Sequence, residues 1–430
     1  MTIWDIKNEC MPREEIGELQ LERLQATLNR VYKNVRHYKK AFSDIDFMPE
    51  DLRSLADFKK LPFTTRKDLR DDYPYGMYAV TLREVVRLHA PSLGYEKPVV
   101  LGFTRNDLTT WVELMARCLT GVGVTRDDVI QISLPAQKMM SSFGLQRGAE
   151  LIGASVLPVS IKNLPNQASI MKDFRTTVLV ATPGLALGLL NAISESGIDL
   201  ITLSLKHGLI GSEPWSEKTR RVLESGLHIS ATDIYSLSEI FGPGVAWECP
   251  EKKGLHISED HFLPEIVDPA TLLPKAPGEE GELVITTLSK EAFPIIRFRT
   301  GDLASIDYEP CGCGRTHARI SRISKRIDDM FVMNGASVVP EQIGQIITKL
   351  NNNREPIFQL QVERKKERDI LTVVIEVTET MFFDEIKKQL LIVDDIALAI
   401  SEFLGWSVYV KFVEKGSVDR NRRVIDTRSL

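Results

Sequence analysis

From about residue 98 to 235, short apolar β-branched runs (PVVLGF, DVIQISL, ASVLPVS, TTVLVAT) alternate with longer segments of helical spacing. A regular exchange of strand-like runs for helix-like periodicity predicts an α/β chain built in layers. Between residues 254 and 310 the pattern changes to strands parted by Gly and Pro turns (GELVITTL, PIIRFRTGDLASI), which predicts a smaller β-rich portion. After Asp328 the order reads strand, helix, strand, strand, helix, strand: FVMNGASVV, PEQIGQIITKL, IFQLQVERK, ILTVVIEV, a helical stretch near 382–402, and SVYVKFVE. A compact α+β domain accounts for that order. Upstream, Ile16, Leu19, Leu21, Leu24, Leu28 and Val31 recur at helical spacing among charges, which predicts one or two amphipathic helices serving packing. No repeat or low-complexity linker parts these regions. The expected division is therefore 1–327 and 328–430, at a tight hinge near Arg326 to Asp329.

The chain's 430 residues suffice for a large core and more than one domain. A formal net charge of -5, with both signs mixed along the length, gives no global attraction to nucleic acid or to an anionic membrane. No apolar run reaches the roughly 18 residues that span a bilayer. The start, MTIWDIKNECMPREE, is charged and lacks the apolar stretch of a signal peptide, so a soluble, cytoplasmic protein is expected. Five cysteines with uneven spacing do not make a disulfide framework. Cys10 and Cys118 stand alone, whereas Cys249, Cys311 and Cys313 share one third of the chain as candidate metal ligands.

Four segments carry chemistry: YSLSEIFGPGVAWEC from Tyr235, GLHISEDHFLPEIVDP from Gly254, PGEEGELVITTLSKEAFPIIRFRTGDL from Pro277, and CGCGRTHARISRISKRIDDMFVMNG from Cys311. Together with LPFTTRKDLRDDYPYGMYAV near the start, they resemble the phenylacetate-CoA ligase family of adenylate-forming enzymes, along nearly the whole chain. The resemblance implies a large, multi-layered N-terminal domain that binds nucleotide and acid. A smaller C-terminal domain would rotate about Asp328 between adenylation and thioester formation. It further implies ATP and AMP, Mg2+ and coenzyme A as ligands, a small carboxylic acid as substrate, and a homodimer as the assembly the family suggests.

Residue by residue, the resemblance casts Tyr235 as the ring that stacks on adenine and Glu239 as a holder of magnesium. Ser236 stands where the family usually has Gly. Asp302, in Arg299-Thr300-Gly301-Asp302, would accept hydrogen bonds from both ribose hydroxyls, a task suited to the paired acceptor oxygens of a carboxylate. Arg326 would approach ribose and phosphate, with Asp328 beginning the rotation and Lys325 replacing a usual Gly. Gly211-Ser212-Glu213-Pro214 resembles the loop lining the adenine pocket, and Gly335 falls among the nucleotide-binding positions. Cys249, His256, Cys311 and Cys313 resemble the family's zinc site, with His317 a rival ligand. Two short clusters of soft ligands can complete one tetrahedral shell, and a closed shell would make the zinc structural.

Three departures complicate the reading. Where relatives carry Ser, Thr and Gly to grip pyrophosphate, this chain has His89-Ala90-Pro91-Ser92-Leu93-Gly94-Tyr95-Glu96-Lys97. Pro91 lacks an amide proton and Glu96 repels a triphosphate, which leaves Ser92, Gly94 and Lys97 as usable groups. The C-terminal region Gly416 to Val424 lacks the family's lysine, with Arg420, Arg422 or Lys415 as substitutes of different reach. The acid pocket reads Leu134 to Phe143 in place of glycines and aromatics. Two readings stay open: an ATP-dependent acid-CoA ligase acting through Glu239, Arg326 and Lys97, or a non-adenylating descendant that binds AMP, acyl-adenylate or CoA as half-enzyme, sensor or partner subunit.

Overall fold

The computed structural model describes residues 2–90, 97–135, 139–160, 163–323, 325–333, 336–351, 354–365, 368–377, 386–419 and 422–428. The predicted strand runs become Leu101–Phe103, Val129–Ser133, Ser155–Pro158 and Val178–Ala181. The last is buried along its whole length, as its unbroken run of apolar residues requires. Thr104 and Asp107 form a capping box that starts the helix Arg105–Gly121. The buried Asp107 carboxylate also accepts the backbone amides of Glu291 and Ala292, at 2.6 and 3.0 Å, so one side chain caps a helix and pins a distant loop.

Among the described residues, nine strands form one central sheet. Ser155–Pro158, Val129–Ser133, Val178–Ala181, His207–Gly211 and Ser230–Leu237 run parallel. From Ser230–Leu237 onward the sheet turns antiparallel through Gly242–Glu248, Leu255–Ile257, Arg319–Ile320 and Ile306–Asp307. Ser230–Leu237 is thus the boundary strand, and its C-terminal end opens beside the ends of the other parallel strands, where α/β sheets bind ligands. A second antiparallel sheet follows the order Phe262–Val267, Gly281–Thr287, Phe298–Ala304, Lys325–Arg326. The N-terminal helices Arg13–Asn34 and Arg36–Ser43 pack against the large core through Leu24, Leu28, Val31, Tyr38 and Phe42.

Beyond residue 330 a separate apolar core gathers Phe331, Ile343, Ile347, Leu360, Val373, Ile396 and Ile400. Its sheet has the order Tyr409–Val413, Arg368–Glu376, Phe358–Lys365, Val424–Asp426. Two features differ from the sequence expectation. FVMNGASVV forms not one strand but the pair Phe331–Met333 and Ala336–Val338. Val424–Asp426, for which the sequence predicted no strand, is a strand parallel to Phe358–Lys365. Three residues carry too little periodicity to announce a strand, and only the neighbouring chain supplies its hydrogen bonds. Among the described residues, no helix is long and apolar enough to cross a membrane.

Candidate active site

A cavity of about 420 Å³ opens at the end of Ser230–Leu237. Its walls include Ser212, Glu213, Tyr235, Ser236, Glu239, Asp302, Arg326 and Asp328, together with Arg66 from the N-terminal region and Arg422 and Arg428 from the C-terminal domain. Gly211, the last residue of its strand, lies so close to Ile234 that a Cβ would come within 2.5 Å of the Ile234 carbonyl oxygen. Ser212 follows with φ +70, a left-handed conformation that turns the loop across the cavity and that a non-glycine residue adopts only where its surroundings impose it.

Across the cavity, the Tyr235 hydroxyl donates to Asp302 Oδ2 at 2.6 Å, and the Arg326 guanidinium donates to Asp302 Oδ1. Burial raises the Asp302 carboxyl from its ordinary value while Arg326 pulls the other way. Burial likewise raises the Tyr235 phenol, and the neighbouring Asp302 charge adds to the effect. Arg326 also grips Asp328 through two bonds of 2.6 and 2.8 Å and donates to the Thr300 carbonyl at 2.8 Å. Gly301 makes this possible, since a Cβ there would sit 2.5 Å from the Arg326 guanidinium.

Arg66 enters from the other side. Thr65 and Asp68 cap the helix Arg66–Asp71, which fixes the first residue of that helix at the cavity wall. Its Nε donates to Glu239 Oε1 at 3.0 Å, and its Nη1 donates to the Thr300 carbonyl at 2.9 Å and lies 3.6 Å from Asp328. One cation therefore touches both the carboxylate end of the Tyr235–Glu239 segment and Asp328, just ahead of the strand Phe331–Met333.

Behind Glu239 lies Lys290, only 2% exposed. Its ammonium donates to the carbonyls of Ile240 and Glu239, and it rests 4.8, 5.0 and 5.6 Å from the ring centres of Phe103, Phe241 and Phe293. The rings and carbonyls soften the loss of water but do not cancel it. Burial lowers Lys290 to about 8. Nearby, burial together with the positive charges of Arg87 and Lys290 lowers His89 to about 4. Phe103 stacks on Trp111, Trp111 leans on Phe143, and Trp111 and Met140 lie against Gly242.

A third constellation is buried on the antiparallel side of the large sheet. The ligand atoms of Cys249, His256, Cys311 and Cys313 lie within 4.8 Å of one another. Cys249 and Cys311 sulfurs are 3.7 Å apart, and Cys313 sulfur is 3.4 Å from His256 Nε2. Zinc–sulfur bonds of about 2.3 Å in a tetrahedron give a sulfur–sulfur edge of about 3.8 Å, so these spacings fit a closed zinc shell. His256 Nδ1 faces the His317 carbonyl oxygen at 3.3 Å, which directs the Nε2 lone pair to the thiols. The His317 ring is outside the group and faces Asp260. The N-terminal segment closes over the cluster through the buried pair Glu9–Arg315 at 2.5 Å.

Residues 335–428 match the AMP-binding enzyme C-terminal domain. Over its whole length the chain is similar to phenylacetate-coenzyme A ligases. It is 38% identical to that of Thermus thermophilus, covering 98% of each chain, and 39% identical to that of Escherichia coli K12, covering 97% of this chain and 96% of the relative. A third, from Pseudomonas putida, is 40% identical over 95% of this chain and 92% of the relative.

The chain belongs to the phenylacetate-CoA ligase family.

The fold of this family member is shared with a crystal structure of 2-hydroxyisobutyryl-CoA ligase with 2-HIB-AMP and CoA in the thioesterification state. The two superpose with a TM-score of 0.90 at 24% identity, covering 98% of this chain and 91% of that one. Against the same ligase in the postadenylation state the TM-score is 0.71, at 24% identity and coverages of 98% and 92%.

Within this phenylacetate-CoA ligase family chain, the structure gathers Ser212, Glu213, Tyr235, Ser236, Glu239, Asp302, Arg326 and Asp328 around one cavity, with Gly211 directly behind them. Lys97 is exposed and does not line the cavity. Ser92, Gly94 and Gly335, like Arg420, lie outside the described residues. Arg66 and Lys290 escaped the sequence reading. The cap Thr65–Asp68 is legible in TTRKD, but nothing local says that the helix start points at Glu239.

Proposed function

We propose that this chain joins an aryl or other small carboxylic acid to coenzyme A through an acyl-adenylate. The observation that carries the proposal is the convergence of Tyr235, Asp302, Arg326 and Glu239 on one cavity at the edge of the parallel strands, in a chain similar over its full length to phenylacetate-CoA ligases. Tyr235 offers a ring face for adenine. Asp302 keeps acceptor capacity on both oxygens for the ribose hydroxyls beside the bonds from Tyr235 and Arg326. Glu239 supplies the single carboxylate that a magnesium ion takes when phosphates fill its other positions, and the ion when bound would offset phosphate charge. Arg66 orients Glu239 from behind. Arg422 and Arg428, both at the cavity, bring positive charge from the domain in which the family's lysine is missing.

The acid's place in this reading is the apolar wall of Trp111, Met140 and Phe143. Residues 328–430 are the mobile domain and Asp328 its pivot. Structural zinc fills the Cys249, His256, Cys311 and Cys313 cluster, and a cytoplasmic location suits cysteines that form no disulfide. The non-adenylating reading is the less favoured, because the full-length relatives are themselves named as ligases.

Acid-dependent exchange of pyrophosphate into ATP, measured with phenylacetate and a panel of aryl and short-chain acids, tests the proposal. Exchange with one acid, followed by its thioester on adding CoA, upholds it. Tight AMP or CoA binding with no exchange for any acid would return the non-adenylating reading.

A further inference from the structure

Arg364 stands on the strand Phe358–Lys365 of the C-terminal domain, yet its guanidinium reaches the nucleotide loop of the other domain. Its Nη2 lies 3.8 Å from Glu213 Oε2, with side chains only 12% and 3% exposed. The same nitrogen is 3.6 Å from the point where Gly184 would carry a Cβ, at the start of the helix Pro183–Glu195. A helix N-terminus repels a cation, so the helix alone gives no reason for Arg364 to sit there. Carboxylates do. Asp369 takes Nε at 2.6 Å and Nη2 at 3.2 Å, and Asp369 is itself held by Arg428 Nη1 at 2.8 Å. The C-terminal domain thus aims Arg364 with its own charges and presents it to Glu213.

The arrangement of the two domains around this contact superposes at 0.90 on one state of a ligase of this fold and at 0.71 on another. The contact therefore belongs to one of two arrangements open to the fold. We infer that the Arg364–Glu213 ion pair fastens the C-terminal domain over the nucleotide loop for the second half-reaction, which makes Arg364 a positioning residue for thioester formation and not for adenylation. This rests on the acid-CoA ligase reading above. With side chains this little exposed, the attraction between the two charges is only weakly screened by salt. Swinging the domain away separates Arg364 from Glu213 but keeps Arg364 with Asp369, since both belong to the moving part.

The test separates the half-reactions. In the wild type, pyrophosphate exchange and thioester production from ATP, acid and CoA report on the ligase reading itself. Arg364→Gln should leave acid-dependent exchange within about twofold and slow single-turnover transfer from preformed acyl-adenylate to CoA by about tenfold or more. Glu213→Gln, which touches the nucleotide loop, is expected to impair both steps. In its background, however, Arg364→Gln should cost the transfer step almost nothing further, because the pair is already broken. Arg364→Lys, which keeps a charge beside Asp369, guards against a folding defect and should show the same selectivity to a smaller degree. Donor and acceptor dyes, one on each domain, report the arrangement whether or not the chain turns over, and Arg364→Gln should depopulate the present one. Equal loss in both half-reactions, additive losses in the double variant, or an unchanged interdomain distance would each overturn the inference.

Discussion

The Tyr235 hydroxyl donates to Asp302 across 2.6 Å, tying the boundary strand of the central sheet to a strand of the second sheet. The bond fixes the carboxylate that faces ribose in the proposed reaction. Asp302→Asn replaces an acceptor oxygen with a donor and should raise KM for ATP by about 10- to 100-fold, the equivalent of about 1.5–3 kcal/mol for hydrogen bonds to a charged group. Tyr235→Phe keeps the ring and loses only the tether, so its KM should rise by less than about tenfold. Initial rates over an ATP series decide between these, and a Tyr235→Phe effect as large as that of Asp302→Asn would contradict the assigned roles.

Glu239 is gripped from behind by Arg66. Glu239→Gln should raise the magnesium concentration needed for half-maximal pyrophosphate exchange by about tenfold. Arg66→Gln frees the carboxylate without removing it, so its magnesium requirement should shift less while turnover falls. Magnesium titrations of the two variants measure this, and an unchanged requirement in Glu239→Gln would remove magnesium from its role.

Lys290 makes stability depend on pH in a defined direction. Its ammonium is held at about 8 in the folded chain against the ordinary lysine value of 10.5, so the unfolded chain binds the extra proton between those limits. Stability from this group therefore rises as pH climbs from about 8 towards 10.5, by at most about 3 kcal/mol. Subtracting the stability of Lys290→Met cancels the other titrations. The difference, wild type minus variant, should grow in favour of the wild type between pH 7 and pH 10. A flat difference would mean that Lys290 is not the charged, desolvated group described here.

For the buried thiol cluster, one zinc per chain is expected by elemental analysis of protein purified without chelator. Cys313→Ser should lose the metal and lower Tm by several degrees, since loss of a structural metal ranks among the largest single-site effects on stability. His317→Ala should keep the metal, because its ring is outside the cluster. Metal lost from His317→Ala and retained in His256→Ala would reverse the ligand assignment.

The layered α/β plan was legible because each element advertises itself locally. Val178–Ala181 is an unbroken apolar run, Arg13–Asn34 shows its helical stripe, and Thr104 with Asp107 spells a helix start. Tyr235, Glu239, Asp302 and the Cys249, His256, Cys311 and Cys313 group were named through resemblance, and the structure brings each set together. What neither source could supply is direction through space. Arg66 and Glu239 are 173 residues apart and meet only because a capped helix start and a sheet edge are packed together. His256 and His317 look alike in the sequence, and only the register that pairs Arg319 with His256 sets one ring inside the thiol cluster and the other outside it. Strand Val424–Asp426, the phenylalanine cage of Lys290 and the reach of Arg364 to Glu213 have the same origin. Periodicity along the chain determines which elements form. Which side chains meet, and hence what charge each one feels, is decided by packing between elements that no local pattern encodes.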